Sequence, residues 1–347
     1  MAADTHIAAV LTEVGRPLEL VHRPTPRPGA NEVLIAVKAV AFNPLDYVQR
    51  DRGFNVARFP AVVGSDIAGI IIARGSALPD DAAPPVGARV CAKAPTFATK
   101  AAPDYGGLQE IALVPAANVM LLPDDMPFES GASLPMAVVT TWSGWYTIGM
   151  PRETKFMPED KMGMLVWGGA SSIGSAAVQI SAALGFVVYA VASEKHSEYV
   201  KQLGAHKVFD YKCDGAADAI VKAAKDDGVW LNTGFDAVGA TADCLQVLRE
   251  FVDANGVPTR LAEAVPMFGN APQADGVIVK FIVSPLDDAE RAEFTRFVFA
   301  WLATAIDEGR FVPSPPVRIM EGGLASADKA MDILRAGVSG TKLVIEV

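Results

Sequence analysis

The residues with the plainest chemical potential lie in one stretch, VWGGASSIGSAAVQ, residues 166–179. An apolar run breaks at two glycines, passes two serines and enters small residues at helical spacing. A strand that opens this way into a helix presents free N–H groups and the positive end of a helix dipole. The pattern predicts an anion site, in which Gly168, Gly169 and Gly174 let a pyrophosphate approach the backbone. Ser171 and Ser172 stand where further glycines often sit, and their hydroxyls can donate to phosphate oxygens. Gly169, Ala170, Ser171, Ser172 and Ile173 are the expected dinucleotide contacts.

The choice of dinucleotide is made after the next strand. NAD readers usually end it with an acid that grips the ribose 2′-OH. This chain reads Val191-Ala192-Ser193-Glu194-Lys195-His196, with no acid ending the strand itself. Ser193 and Lys195, with His196 beside them, suit a 2′-phosphate, and Tyr211 can cover the adenine side. Glu194 would repel phosphate if it faced inward. The expected cofactor is NADP(H).

These residues need elements to hold them. Residues 1–125 read as short β-branched strands cut by Gly and Pro, such as EVLIAVKAVAFN and DIAGIIIARGS, a barrel-like pattern with no long helical period. From about residue 126 strands alternate with helices, the signature of a parallel sheet covered on both faces. MLVW, FVVYAVAS, KVFDY and WLNTGFDAVG are its strands. The tail returns to helices, EFTRFVFAWLATAIDEGRF and LASADKAMDILRAG, and one strand, TKLVIEV, able to complete the first domain. Trp142 and Trp145 read as core or cleft wall, Cys91 and Cys213 as small hydrophobes, and Asp287-Asp288 as a helix cap.

Composition narrows the function classes. The 347 residues suit two domains, and 51% hydrophobic with 20% charged is ordinary globular usage. A formal net charge of −10 argues against nucleic acid, which needs a basic face. Three dispersed cysteines without a CxxC fit neither a disulfide framework nor a cysteine-built zinc site. No uninterrupted apolar run of membrane-spanning length and no basic-then-apolar leader occurs, so a cytoplasmic protein is expected.

The ordered series AFNPLDYVQRDRG, FPAVVGSDIAGIIIARGS, VGARVCA, YGGLQEIALVPAANVMLLPDDMPFESGASLP, VWGGASSIGSAAVQ, LGAHKVFDY and SGTKLVIEV resembles the medium-chain dehydrogenase/reductase superfamily over nearly the full length. Within it the chain resembles the zinc-free quinone- and enoyl-reductase branch, and there the fungal trans-acting enoyl reductases that serve polyketide synthases. The resemblance implies an α/β protein: a GroES-like catalytic domain, residues 1–125 and 284–347, interrupted by a Rossmann domain, residues 126–283. It also implies nucleotide contacts from Leu261, Val338 and Ser339. Where the alcohol-dehydrogenase branch has a catalytic Cys and a His-Glu pair, this chain has Asn43, Ser65 and Asp66, so no metal is expected. Without that Lewis acid, alcohol oxidation gives way to hydride addition at a conjugated C=C or a quinone. Asp46 and Tyr47, in the loop implied for the active site, and Thr140, at a position that touches nicotinamide or substrate, are the catalytic candidates. Some members carry a lysine proton donor aligned with Val48, which this chain lacks. An NADPH-dependent enoyl reductase is the leading expectation. A quinone reductase and a non-catalytic NADPH-binding protein stay open, as do a polyketide synthase partner and a monomer or homodimer.

Overall fold

The computed structural model describes residues 4–79, 83–253, 257–266 and 272–347. Two compact units divide the chain: residues 1–136, 292–304 and 316–347 form one, and 137–291 with 305–315 the other.

The chain opens with β1 (Thr5–Val10), β2 (Glu19–Pro24), β3 (Glu32–Ala41), α1 (Pro44–Arg52), β4 (Asp66–Arg74), β5 (Arg89–Lys93), β6 (Ile111–Pro115), β7 (Val119–Leu121) and α2 (Phe128–Ala132). It continues with α3 (Pro135–Thr147), β8 (Met162–Trp167), α4 (Ser172–Ala183), β9 (Val187–Val191), α5 (Ser197–Gln202), β10 (Lys207–Phe209), α6 (Ala216–Asp226), β11 (Trp230–Asp236), α7 (Thr241–Leu248), β12 (Thr259–Glu263) and β13 (Val277–Phe281). It closes with α8 (Asp288–Asp307), β14 (Val317–Ile319), α9 (Ala327–Ala336) and β15 (Lys342–Glu346).

In the first unit β3 is the organising strand. Its ten residues, nearly all apolar, bury Val33, Ile35, Val37 and Val40. It pairs antiparallel with β4, β6 and β15 in a sheet ordered β14-β15-β3-β4-β5-β7. The tail strand thus completes the sheet begun near the N-terminus, with Leu343 and Ile345 buried in the same core. The sequence pattern missed one element here. NPLDYVQRDR is a helix, α1, rather than a loop. Pro44 occupies a first-turn position, the Asp46 carboxylate accepts from the Asn43 N–H at 2.8 Å, and Gly53 ends it with a left-handed φ of 63°.

In the second unit the sheet is parallel throughout, ordered β10-β9-β8-β11-β12-β13, a doubly wound arrangement. Its central strands are continuous apolar runs because both faces are buried. Trp142 and Trp145 are core residues, 2% and 0% exposed, and the Trp145 ring meets Phe235 edge-on at 5.4 Å. The strands β12 and β13 extend the sheet beyond the four strands legible from pattern. Asp287 caps α8 as expected, accepting from the N–H groups of Ala289 and Glu290. Among the described residues, no helix is long and apolar enough to cross a membrane.

Candidate active site

β8 ends at Trp167 and the chain turns on Gly168, whose φ is +83°. Only glycine fits, since a Cβ would also meet Val238 Cγ1 at 2.5 Å. The Gly168 and Gly169 N–H groups donate to the Val191 carbonyl at 3.0 and 2.9 Å, which fixes the turn to β9. Ser171 is the N-cap of α4, its Oγ accepting from the Gly174 N–H at 3.1 Å. Its O–H proton is still able to donate. Ser172 and Ile173 lie in the first turn of α4, at the positive end of its dipole. Ser171, Ser172 and Ile173 are partly exposed, whereas Gly169 and Ala170 are buried. The open end of a 12-residue helix, lined by small residues and hydroxyls, fits a pyrophosphate. One expectation needs correcting. A Cβ on Gly169 would face Ala190, Val200 and Val178 at 3.2, 3.3 and 3.5 Å, so its missing side chain makes room for packing rather than for phosphate.

Beyond β9, Ser193 is buried, Lys195 is exposed and His196 is half-buried. Burial, with the Lys195 charge adding, holds the His196 imidazole below its ordinary value. Tyr211 is 54% exposed, with Lys212 Nζ 5.8 Å from its ring centroid. Asp210 escaped the sequence reading: its carboxylate accepts from the Glu194 N–H at 3.2 Å and the Lys212 N–H at 2.9 Å, bracing both segments. The acid in KVFDY was its signal. Thr140 lies on α3, partly exposed. Its neighbour Thr141 donates to Ala137 O at 2.9 Å and lies 3.3 Å from Ile173 O, which ties α3 to the first turn of α4. Leu261 is a fully buried core side chain of β12, leaving it no open face. Val338 and Ser339 follow α9 in the first unit, Val338 packing on that unit's core.

The first unit gathers a different constellation. Lys342 Nζ donates to Asn43 Oδ1 at 2.7 Å and Asp66 Oδ2 at 3.1 Å, and Asn43 Nδ2 donates to Asp66 Oδ2 at 2.8 Å. Asp66 Oδ1 accepts from the Met136 N–H at 2.6 Å. Asn43, Asp46, Asp66 and Lys342 are all buried. Ser65 is spent on Thr96, their hydroxyl oxygens 2.6 Å apart. Asp46 is 0% exposed, and burial pushes its carboxyl up to about 7, with the Asp66 charge raising it further and Lys342 opposing. Its carboxyl is shut off from solvent and meets the chain through the Asn43 N–H. Tyr47, one residue on, is half-buried against the core. Lys342 was the residue that sequence reasoning missed, and its signal was a lone lysine inside the apolar strand TKLVIEV. Among the described residues, no group of three or more His, Cys, Asp or Glu side chains is arranged to hold a metal.

The profile described as the alcohol dehydrogenase GroES-like domain matches residues 29–124, and that described as zinc-binding dehydrogenase matches residues 172–257. The trans-enoyl reductase tndF of Aspergillus flavipes is 42% identical over 346 residues, 99% of each chain. The trans-enoyl reductase tazE of Aspergillus terreus is 48% identical over 247 residues, covering 71% of this chain and 82% of that one. Among solved structures, a quinone oxidoreductase of Pseudomonas syringae pv. Tomato superposes with a TM-score of 0.76 at 21% identity, covering 99% of this chain and 100% of that one. At that identity the likeness speaks for the fold alone. Two profiles in the right order, a relative matched end to end and a barrel-like unit with a doubly wound sheet converge: the chain belongs to the medium-chain dehydrogenase/reductase superfamily, as an oxidoreductase of its quinone- and enoyl-reductase branch.

Proposed function

We propose that this protein is a cytoplasmic, NADPH-dependent, metal-independent enoyl reductase that reduces the conjugated C=C of an acyl chain carried by a polyketide synthase. The names of the two relatives support the substrate class. The observation that carries the metal-free reading is Lys342. Its ammonium engages Asn43 and Asp66, two of the positions aligned with metal ligands in the alcohol-dehydrogenase branch. A hard amide, a hydroxyl and a carboxylate already paired with an ammonium make a poor tetrahedral zinc set. Reduction of a C=C beside a carbonyl develops negative charge on the carbonyl oxygen, which hydrogen-bond donors can stabilise without a metal.

A nicotinamide dinucleotide, when bound, supplies the hydride. Ala170, Ser171, Ser172 and Ile173 hold its pyrophosphate, with Gly169 packed behind them against β9, and Ser193, Lys195, His196 and Tyr211 hold its adenosine 2′-phosphate end. Thr140, in the same unit as the turn, offers its hydroxyl to the reacting part. Asp46 is a positioning residue that fixes the start of α1. The test is NADPH oxidation with an α,β-unsaturated acyl thioester against 9,10-phenanthrenequinone, with NADH as second cofactor. Faster turnover of the thioester with NADPH is expected. Turnover of the quinone alone would make it a quinone reductase, and binding without turnover a nucleotide-binding protein.

A further inference from the structure

A second pair of buried acids, unused above, lies under the nucleotide turn. Asp236 ends β11 and Glu263 ends β12, and the two are directly paired in the strand register. Both are 0% exposed. Asp236 Oδ1 accepts from the Val238 and Gly239 N–H groups, each at 3.0 Å. Glu263 Oε1 accepts from the Val265 N–H at 2.8 Å, and its Oε2 from the Thr241 hydroxyl at 2.5 Å. Asp236 Oδ2 has no protein donor among the described residues. The Asp236 and Glu263 side chains lie beside each other in the strand register, within hydrogen-bonding reach. Two bare carboxylates in that position would repel in a site that cannot hydrate them. One proton between them removes the repulsion and supplies the missing donor.

The loops braced by this pair touch the turn. The Ala237 N–H donates to Trp167 O at 3.0 Å, and Val238 packs where a Cβ of Gly168 would lie. Gly239 in turn backs onto Val265 at 3.5 Å from the position of a Cβ. We propose that Asp236 and Glu263 share one proton and act as positioning residues for the dinucleotide, holding the 237–239 loop against Gly168 only while that proton is present. This rests on the reading that the dinucleotide lies on the 168–174 turn.

The surroundings favour a proton over a cation. The strongest influences on Glu263 are burial, which raises its carboxyl to about 7, then Thr241, Val265 and Asp236, with no basic side chain among them. From α7, Cys244 is buried and its thiol held far above its ordinary value by burial and by Asp236, Glu263 and Asp243. β8 brings Trp167 beside Asp236, and β13 brings Phe281 beside Glu263, neither of which titrates in this range. Lys280, next along β13, is exposed and pairs with Ala262.

The experiment is calorimetric titration of NADPH into the full chain from about pH 6 to about pH 8, with Glu263→Gln measured alongside. The glutamine amide donates permanently to Asp236. Titrations of the cofactor's phosphate and of His196 are common to both proteins and cancel in the comparison. Wild-type affinity should fall about five- to tenfold more than that of the variant over this range, within the usual size of coupling between sites. Equal slopes overturn the proposal while leaving the nucleotide reading intact. Absence of NADPH binding by the folded wild type at every pH overturns both. If Glu263→Gln fails to fold, infrared difference spectra of the wild type and Asp236→Asn decide. A protonated-carboxyl band in the wild type that bleaches above neutral pH and is altered in Asp236→Asn is expected, and a wild type without one overturns the shared proton.

Discussion

In the first unit Asp46 and Asp66 lie behind Asn43, and the ammonium of Lys342 touches Asp66 and the Asn43 amide. In the second unit Asp236 and Glu263 face each other with no basic side chain among the strongest influences on Glu263. Burial raises the same cost in both places, because a carboxylate loses its water. The relief differs. A fixed cation keeps its charge across the physiological range, so it gives one arrangement at every pH. A shared proton comes and goes, so it ties an arrangement to pH. The first suits a scaffold held around a fixed Asn43, the second the 237–239 loop packed against Gly168.

The largest expected effect comes from removing the cation. Lys342→Met leaves Asp66 buried without its partner and should cost roughly 3–5 kcal/mol, the usual penalty for breaking a buried ion pair. Denaturant unfolding measures it, and a loss below about 1 kcal/mol would mean that Lys342 does not balance the acids. Adding Asp66→Asn to Lys342→Met should return about 1–2 kcal/mol, within the range of coupling between contacting residues. No recovery in that double variant would place the cation's role elsewhere.

The two pairs also show what a sequence can tell. The 168–174 turn is local, so glycine, serine and helical spacing within nine residues of Val166 announced it. The Lys342 cluster joins residues 276 and 299 positions apart, brought together only because β15 pairs with β3. Pattern alone indicated a strand at TKLVIEV but not its neighbour. Asp236 and Glu263 were invisible for the same reason, since WLNTGFDAVG reads as a strand while β12 is short and was not recognised. The parallel sheet was legible from its alternating apolar strands, whereas α1 was missed because nine residues rich in charge carry little apolar period.

A smaller effect separates the pairs by pH. Asp46 and Glu263 both have carboxyls raised to about 7 in the fold, from ordinary values of 3.8 and 4.5. A raised acid binds more protons folded than unfolded, so its contribution is full below the unfolded value and is lost as pH climbs to about 7. Wild-type Tm should therefore decline between about pH 4 and pH 7 and level off above. Glu263→Gln should remove up to about 3 kcal/mol of that decline, several degrees in Tm. Lys342→Met should instead prolong the decline above pH 7, because the charge opposing the rise at Asp46 is gone. Identical pH profiles for the two variants would dissolve the distinction between cation and proton.

The smallest expected effect is none at all, and it tests the first pair most directly. A zinc ion at Asn43, Ser65 and Asp66 would have to displace the Lys342 ammonium and break the 2.6 Å contact between Ser65 and Thr96. It would gain an amide oxygen, a hydroxyl and one carboxylate in exchange, without a thiolate or imidazole. Ligands that bind the folded state raise Tm by mass action, and a metal at a hundred times its Kd would add about 2.7 kcal/mol. Dialysis of the protein against a strong chelator, followed by addition of zinc, should move neither Tm nor NADPH-dependent turnover. A rise in Tm on adding zinc to Lys342→Met but not to the wild type would sharpen the comparison, because it would show that the ammonium fills a place a metal could take. The same rise in the wild type would show that the ammonium gives way, and the metal-independent reading would fall.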